Sequence, residues 1–188
     1  MQATIEQTQI NDVVIIKLEL YKDERGFFTE VYRADQYKEL GLPSAFAQFN
    51  HSGSVKNTVR GLHFQWEPPM GKLMRVTRGT AFLVAVDIRK NSPTLGRHVG
   101  ITLTADEPRL VWAPAGFARG FAVISDYAEI QHLTTGVYNS KAESGILWND
   151  PALGIEWPVD APILSSKDTQ AQTLEQWLTT PESNNFTL

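Results

Sequence analysis

Short apolar stretches recur along most of this chain, broken by glycine- and proline-containing segments, and their spacing predicts strands rather than long helices. Val13-Val14-Ile15-Ile16 opens the first stretch. The longest runs from Leu73 to Arg89, LMRVTRGTAFLVAVDIR, in which Arg78-Gly79 reads as a turn between two strands. His98 to Thr104, Arg109 to Ala113, Gly120 to Ser125 and Glu129 to Thr135 follow. Strands at this density, with 13 Gly and 10 Pro at the breaks, predict an all-β sandwich or barrel. Two short helices flank it. Ala34 to Leu40 ends at Gly41, a residue suited to the position just past a helix, with Pro43 beyond. Thr169 to Leu178 carries Leu174, Trp177 and Leu178 at helical spacing. The polar end, TTPESNNFTL over 179–188, reads as a loose tail. With no repeat or linker, residues 1–188 are expected to form one domain.

Composition narrows the class of partner. The chain has 188 residues, 42% hydrophobic and 20% charged, which fits an ordinary globular protein with a sizeable core. Its 17 basic and 21 acidic residues give a net charge of −4, against the basic excess of a general nucleic-acid or membrane-surface binder. A few placed Arg or Lys side chains still suffice to hold a phosphate ligand. Without cysteine there is no disulfide, thiolate nucleophile or Cys-ligated metal. The N-terminal stretch lacks the pattern of a secretory signal, and no apolar run reaches membrane-spanning length, so a cytoplasmic location is expected.

Four histidines are available for chemistry: His51, His63, His98 and His132. His63 lies in Arg60-Gly61-Leu62-His63-Phe64-Gln65, a strand-like segment. A histidine there fits a general base, its ordinary pKa being near neutrality; it also fits a core histidine bonded to a backbone carbonyl. In a regular strand Arg60 and His63 face opposite ways, but a bulge at Gly61 would let both line one cavity. The position two after His63 is Gln65, and no pair of histidines lies close in sequence. Metal-ligand spacing is therefore missing and no metal is expected, convergence of distant histidines being the alternative. Arg25, Lys72 and Arg119 sit near strand ends, where arginine suits phosphate oxygens and where ordinary surface charge is the plainer reading.

Eight segments, taken in order, carry a resemblance: DERGFFTE (23–30), QFNHS (48–52), RGLHFQ (60–65), the GK and RGTAFLVAVDIRKNSPTLGR region (71–97), PAGFARGF (114–121), SDYAE (125–129), GILWNDPALGIEWP (145–158) and PILSSKD (162–168). Together they resemble the dTDP-4-dehydrorhamnose 3,5-epimerase family and cover nearly all of the chain to Asp168. The resemblance implies a cupin-type jelly-roll β-barrel that epimerises a nucleotide-linked 4-keto-6-deoxy sugar, as a homodimer, without metal or organic cofactor. It places His63 at the catalytic base, Asp168 at the carboxylate that orients it and Lys72 at the lysine that stabilises an enolate. Arg60 falls at a contact near the reacting sugar and diphosphate. Arg25, Glu30, Gln48, Asn50, Glu143 and Lys167 fall at substrate-binding positions, and Tyr138 matches the family's second tyrosine.

Those roles make chemical sense. A 4-keto group acidifies the hydrogens at C3 and C5, because the carbanion left behind is an enolate. Inversion needs a base on one face of the sugar and a proton donor on the other. Two positions depart from the family pattern: His132 stands where the acid tyrosine is found, and Arg119 where a histidine is found. The expectation is that His132 is protonated and takes over proton donation, with Arg119 opposing that charge. The alternatives to a 3,5-epimerase are a single-carbon epimerase, a keto-isomerase, or an inactive sugar-nucleotide-binding module.

Overall fold

In the computed structural model, which describes residues 2–188, thirteen strands and three short α-helices follow one another along the chain. The first half holds β1 (Thr4–Gln7), β2 (Val14–Lys17), β3 (Tyr21–Asp23), β4 (Gly26–Phe28), α1 (Ala34–Glu39), β5 (Gln48–Val55), β6 (Val59–Gln65) and β7 (Lys72–Arg78). The second holds β8 (Thr80–Asp87), β9 (His98–Thr104), β10 (Arg109–Ala113), β11 (Phe117–Val123), β12 (Tyr127–Thr134), β13 (Glu143–Gly145), α2 (Ser166–Thr169) and α3 (Leu174–Thr179). Two antiparallel sheets form the jelly-roll barrel, a six-stranded one in the order β1-β2-β10-β7-β12-β5 and a five-stranded one in the order β13-β6-β11-β8-β9. β3 and β4 make a separate hairpin.

Strand alternation decides what fills the barrel. Met74 and Val76 of β7, Leu83 and Ala85 of β8, Val111 and Ala113 of β10, Phe121 and Val123 of β11, and Ile130 of β12 belong to one interior cluster. Their chain neighbours Leu73, Leu110 and Trp112 pack outward with Tyr37 of α1, whereas Val84, Val86 and Ala118 pack outward with Leu174 and Trp177 of α3. Carried further along the same interior rows, the next positions are Lys72 on β7, Arg119 on β11 and His132 on β12. One end of the barrel is therefore apolar and the other is charged.

The long apolar stretch turns at Gly79, whose φ is +70°, between β7 and β8, which enter different sheets. Two expectations change. The helix expected over Thr169 to Leu178 is two helices. Between them Gln172 bridges to Ile146, with its carbonyl accepting from the Leu147 amide, and Thr173 then starts α3 with a capping box to Gln176. The expected loose tail is packed. A 3₁₀ turn spans Pro181–Phe186, the Lys90 amide donates to the Phe186 carbonyl, and the Phe186 ring meets Phe64 and Trp177. Phe186 was hidden in a polar stretch because one aromatic side chain suffices to anchor such a turn.

Replacing Phe186 by Ala should cost about 3–5 kcal/mol, the usual range for a buried Phe truncation. Urea unfolding checks this, and a loss below about 0.5 kcal/mol, the level of ordinary surface substitutions, would mean the end is not anchored.

Candidate active site

The site begins with a two-against-one bulge between β6 and β11. His63 pairs with Arg119 and Arg60 pairs with Phe121, so Gly61 and Leu62 together face Gly120. Arg119 and Phe121 are two apart and share a face, so His63 and Arg60 share that face although they are three apart. Only glycine fits the bend: Gly61 has φ +138°, and a Cβ there would lie 2.5 Å from the Gly120 Cα.

The resulting cavity, of about 220 Å³, is lined from one sheet by Arg60, His63, Arg119 and Phe121 and from the other by Ser52, Lys72, Met74 and His132. The second group shares a face by register, since His132 lies opposite both Asn50 and Met74 and Thr134 lies opposite both Gln48 and Lys72. A neighbouring cleft, lined by His63, Glu143, Lys167 and Asp168, opens the site toward the rim.

His63 is held by a carboxylate. Its Nε2 lies 2.5 Å from Oδ1 of Asp168, which is only 3% exposed. Asp168 sits in α2, whose N-cap Ser165 accepts from the Asp168 amide and donates its hydroxyl to Oδ2 at 2.8 Å. Burial works against the charge of Asp168, but the bonds from His63 and Ser165 outweigh it and hold the carboxyl below its ordinary value. An ionised Asp168 can only accept, so Nε2 carries the proton and Nδ1 is left with the lone pair. The half-buried ring thus offers a base.

The rim residues form a chain of bonds. The Gln48 amide nitrogen donates to Asn50, and its oxygen accepts from the Tyr138 amide. The Tyr138 hydroxyl donates to Glu143 at 2.6 Å, and the Lys167 ammonium donates to the same oxygen at 2.5 Å. Arg60 reaches across to the Ser54 hydroxyl at 3.1 Å.

Arg119 is 3% exposed and has no carboxylate partner among the described residues. Its terminal nitrogens donate to the carbonyls of Ala113, Pro114 and Met70, and its Nε has no partner. Burial pushes its pKa down to about 9, which leaves it charged at neutral pH. Burial first and the Arg119 charge second pull Lys72 down to about 7. His132 is lowered to about 4 by burial, then by Lys72 and Arg119. The expectation of a protonated His132 is therefore corrected: its ring is neutral at physiological pH because burial first, and then the charges of Lys72 and Arg119, oppose an imidazolium there.

Most of the residues expected at a site come together: His63, Asp168, Lys72, His132, Arg60 and Arg119 around the cavity, and Gln48, Asn50, Tyr138, Glu143 and Lys167 at its mouth. Arg25 and Glu30 do not join them. Arg25 pairs with Asp23 in the exposed β3–β4 hairpin, and Glu30 pairs with Arg33. Ser165 also belongs to the site, and its signal in the sequence is Ser165-Ser166-Lys167-Asp168, which fits the capping pattern S-x-x-D. Ser52 and Met74 join it too, and follow from Asn50 and Lys72 by strand alternation. His51, paired with Glu129 on the surface, stays outside the site.

The family profile described as dTDP-4-dehydrorhamnose 3,5-epimerase matches residues 7–176. The dTDP-4-dehydrorhamnose 3,5-epimerase of Salmonella typhimurium is 50% identical over 177 residues, covering 93% of this chain and 97% of that protein. A dTDP-4-dehydrorhamnose 3-epimerase of Streptomyces niveus is 40% identical over 156 residues, covering 82% of this chain and 75% of that protein. Among solved structures, the dTDP-6-deoxy-D-glucose-3,5-epimerase of Legionella pneumophila in complex with dTDP-4-keto-L-rhamnose superposes with a TM-score of 0.92 at 42% identity, covering 97% of each chain.

A neutral His132 can be checked by the pH dependence of stability. Its folded pKa lies below the ordinary 6.5, so between about 6.5 and 4 the unfolded chain binds more protons and stability falls as acid is added. His132→Phe should show a shallower loss over that window in urea titrations; a slope equal to that of the unaltered protein would mean the ring is not held neutral.

Proposed function

Because the chain belongs to the dTDP-4-dehydrorhamnose 3,5-epimerase family, we propose that its cavity converts a nucleotide-linked 4-keto-6-deoxy sugar by proton removal and return beside the ketone. The protein is an isomerase-class epimerase. The observation that carries the mechanism is the His63–Asp168 pair opening on a cavity whose other walls carry Lys72 and Arg119.

In this reading Nδ1 of His63 takes the hydrogen from C3 or C5. The C–H electron pair moves into the new C=C bond and the ketone oxygen becomes an enolate. Asp168 keeps the ring in one tautomer and stabilises the imidazolium that forms, as carboxylates do for catalytic histidines elsewhere. Positive charge from Lys72 and Arg119 lowers the energy of the enolate in a site where water does not screen it, and one such preorganised group is commonly worth about 2.7–4 kcal/mol. Arg60 and Lys167 suit the diphosphate, Arg60 through its fork of donors. Gln48, Asn50, Tyr138 and Glu143 orient the sugar at the mouth.

The β3–β4 hairpin gives the reason to place two copies together. Phe27 and Phe28 are 69% and 62% exposed on adjacent positions, beside Arg25. An exposed aromatic pair of this kind suits an interface. In a homodimer the hairpin would cover the partner's cavity and bring Arg25 and Glu30 to the ligand, which neither reaches within its own chain. The enzyme is read as a cytoplasmic one that needs no metal or organic cofactor.

A second reading is favoured by His132: without a tyrosine at that position, inversion at one carbon only is the natural alternative, as in the 3-epimerase relative.

Incubation with dTDP-4-keto-6-deoxyglucose in D2O, followed by NMR, tests the proposal. Deuterium should enter at both C3 and C5; entry at one carbon supports the second reading, and binding without exchange would contradict both. His63→Asn should lower kcat/KM by about 10²–10⁴-fold, the usual worth of a general base. Phe27→Asp combined with Phe28→Asp should yield monomers in sedimentation and weaken substrate binding; unchanged mass would remove the hairpin from the interface.

A further inference from the structure

Inversion needs an acid on the face of the sugar opposite His63, and the residue at position 132 is unsuited to be that acid. The cavity wall formed by the six-stranded sheet carries Ser52, Lys72, Met74 and His132. Met74 has no proton to give. A serine hydroxyl and a neutral imidazole are both very weak acids, and donation would leave a strongly basic anion on the protein. His132 is moreover half-buried with its Nδ1 enclosed and unpartnered, so no neighbour relays a proton to that atom. A lysine ammonium, by contrast, becomes neutral when it donates and cancels the enolate's charge in the same step.

We propose that in this chain Lys72 delivers the proton to the face opposite His63, and that Arg119 supplies the fixed positive charge the enolate oxygen requires. The inference rests on the epimerase reading above and divides the labour within it. The step balances without a further reactant. His63 removes the proton at one face and its imidazolium later returns that proton to water. The enolate's C=C electron pair then takes a proton from the Lys72 ammonium at the other face, the ketone reforms, and the neutral amine recovers a proton from solvent.

The surroundings of Lys72 fit this use. Arg119 on β11 and Lys167 on α2 press it toward the neutral amine, Glu143 on β13 pulls the other way, and burial is the largest influence. His132 on β12 and His63 and Arg60 on β6 complete the titratable and charged groups around the cavity, with Tyr138 tied up by Glu143 at the rim. Held near 7, the ammonium is a stronger acid than a phenol of ordinary pKa about 10. Arg119 cannot take the donor role itself. Its terminal nitrogens are committed to three backbone carbonyls, so it stays a charge with an unpartnered Nε.

Lys72→Arg separates the roles, because it keeps the charge but does not release a proton. With dTDP-4-keto-6-deoxyglucose in D2O, this variant should still exchange deuterium through His63 from the same face, while inversion falls by at least about 100-fold. His132→Phe should keep the ratio of inversion to exchange within about threefold of the unaltered enzyme. Retained inversion in a folded Lys72→Arg variant, joint loss of exchange and inversion in it, or exchange without inversion in His132→Phe would each overturn the assignment. As a second line, kcat/KM of the unaltered enzyme should fall above about pH 7, and Arg119→His should move that alkaline limb upward; an unmoved limb overturns it. No exchange by the unaltered enzyme would instead sink the epimerase reading, which keeps the two failures apart.

Discussion

The close approach of β6 and β11 at Gly61 and Gly120 is the constraint on which the site depends. A side chain at Gly61 would drive a Cβ to 2.5 Å from the Gly120 Cα, and one at Gly120 would come within 2.7 Å of the Arg60 carbonyl. With both positions bare, the strands stay paired through an extra residue and the face of β6 switches there. His63 and Arg60 then enter the barrel together, while Leu62 and Phe64 pack outward against Ile146, Trp177 and Phe186. The outward anchors matter as much as the inward groups. They fix the strand against α3 and the C-terminal turn, and α2 follows the same surface to bring Asp168 beneath the imidazole.

Electrostatics then divides the cavity. Asp168 and Glu143 are each satisfied by donors, whereas Arg119 is buried among carbonyls with no counter-ion. An uncompensated buried cation is costly, and that cost is recovered only when an anion forms or binds nearby. An enolate is such an anion. Burial keeps His132 neutral and loosens the proton of Lys72, and the charge of Arg119 adds to both effects.

Much of this was legible in the sequence, for identifiable reasons. Short apolar stretches announced the barrel because its strands are covered outside as well as inside, one sheet by α1 and the other by α3. The Gly61 bulge was readable because a glycine inside a strand marks a place where a bulge lets three-apart residues converge. β5 escaped notice because QFNHSGSV carries polar Gln48, Asn50, Ser52 and Ser54 on one face and leaves Phe49 and Val55 exposed on the other. Phe186 gave no periodic signal, and its burial depends on Phe64 and Trp177, far away in the chain. The charge on His132 was misjudged because a pKa depends on which cations share the cavity, and Lys72 and Arg119 are separated from it by many residues in sequence but not in space.

The central claim is that base and acid stand on opposite faces of the same sugar. The most direct measurement is a crystal structure of the protein with a bound dTDP-4-keto sugar. The account predicts the ring lying between the two sheets, with Nδ1 of His63 roughly 3–3.5 Å from C3 or C5 and Lys72 across the ring from it. A sugar seated outside the barrel, or with His63 and Lys72 on one and the same face, would contradict it.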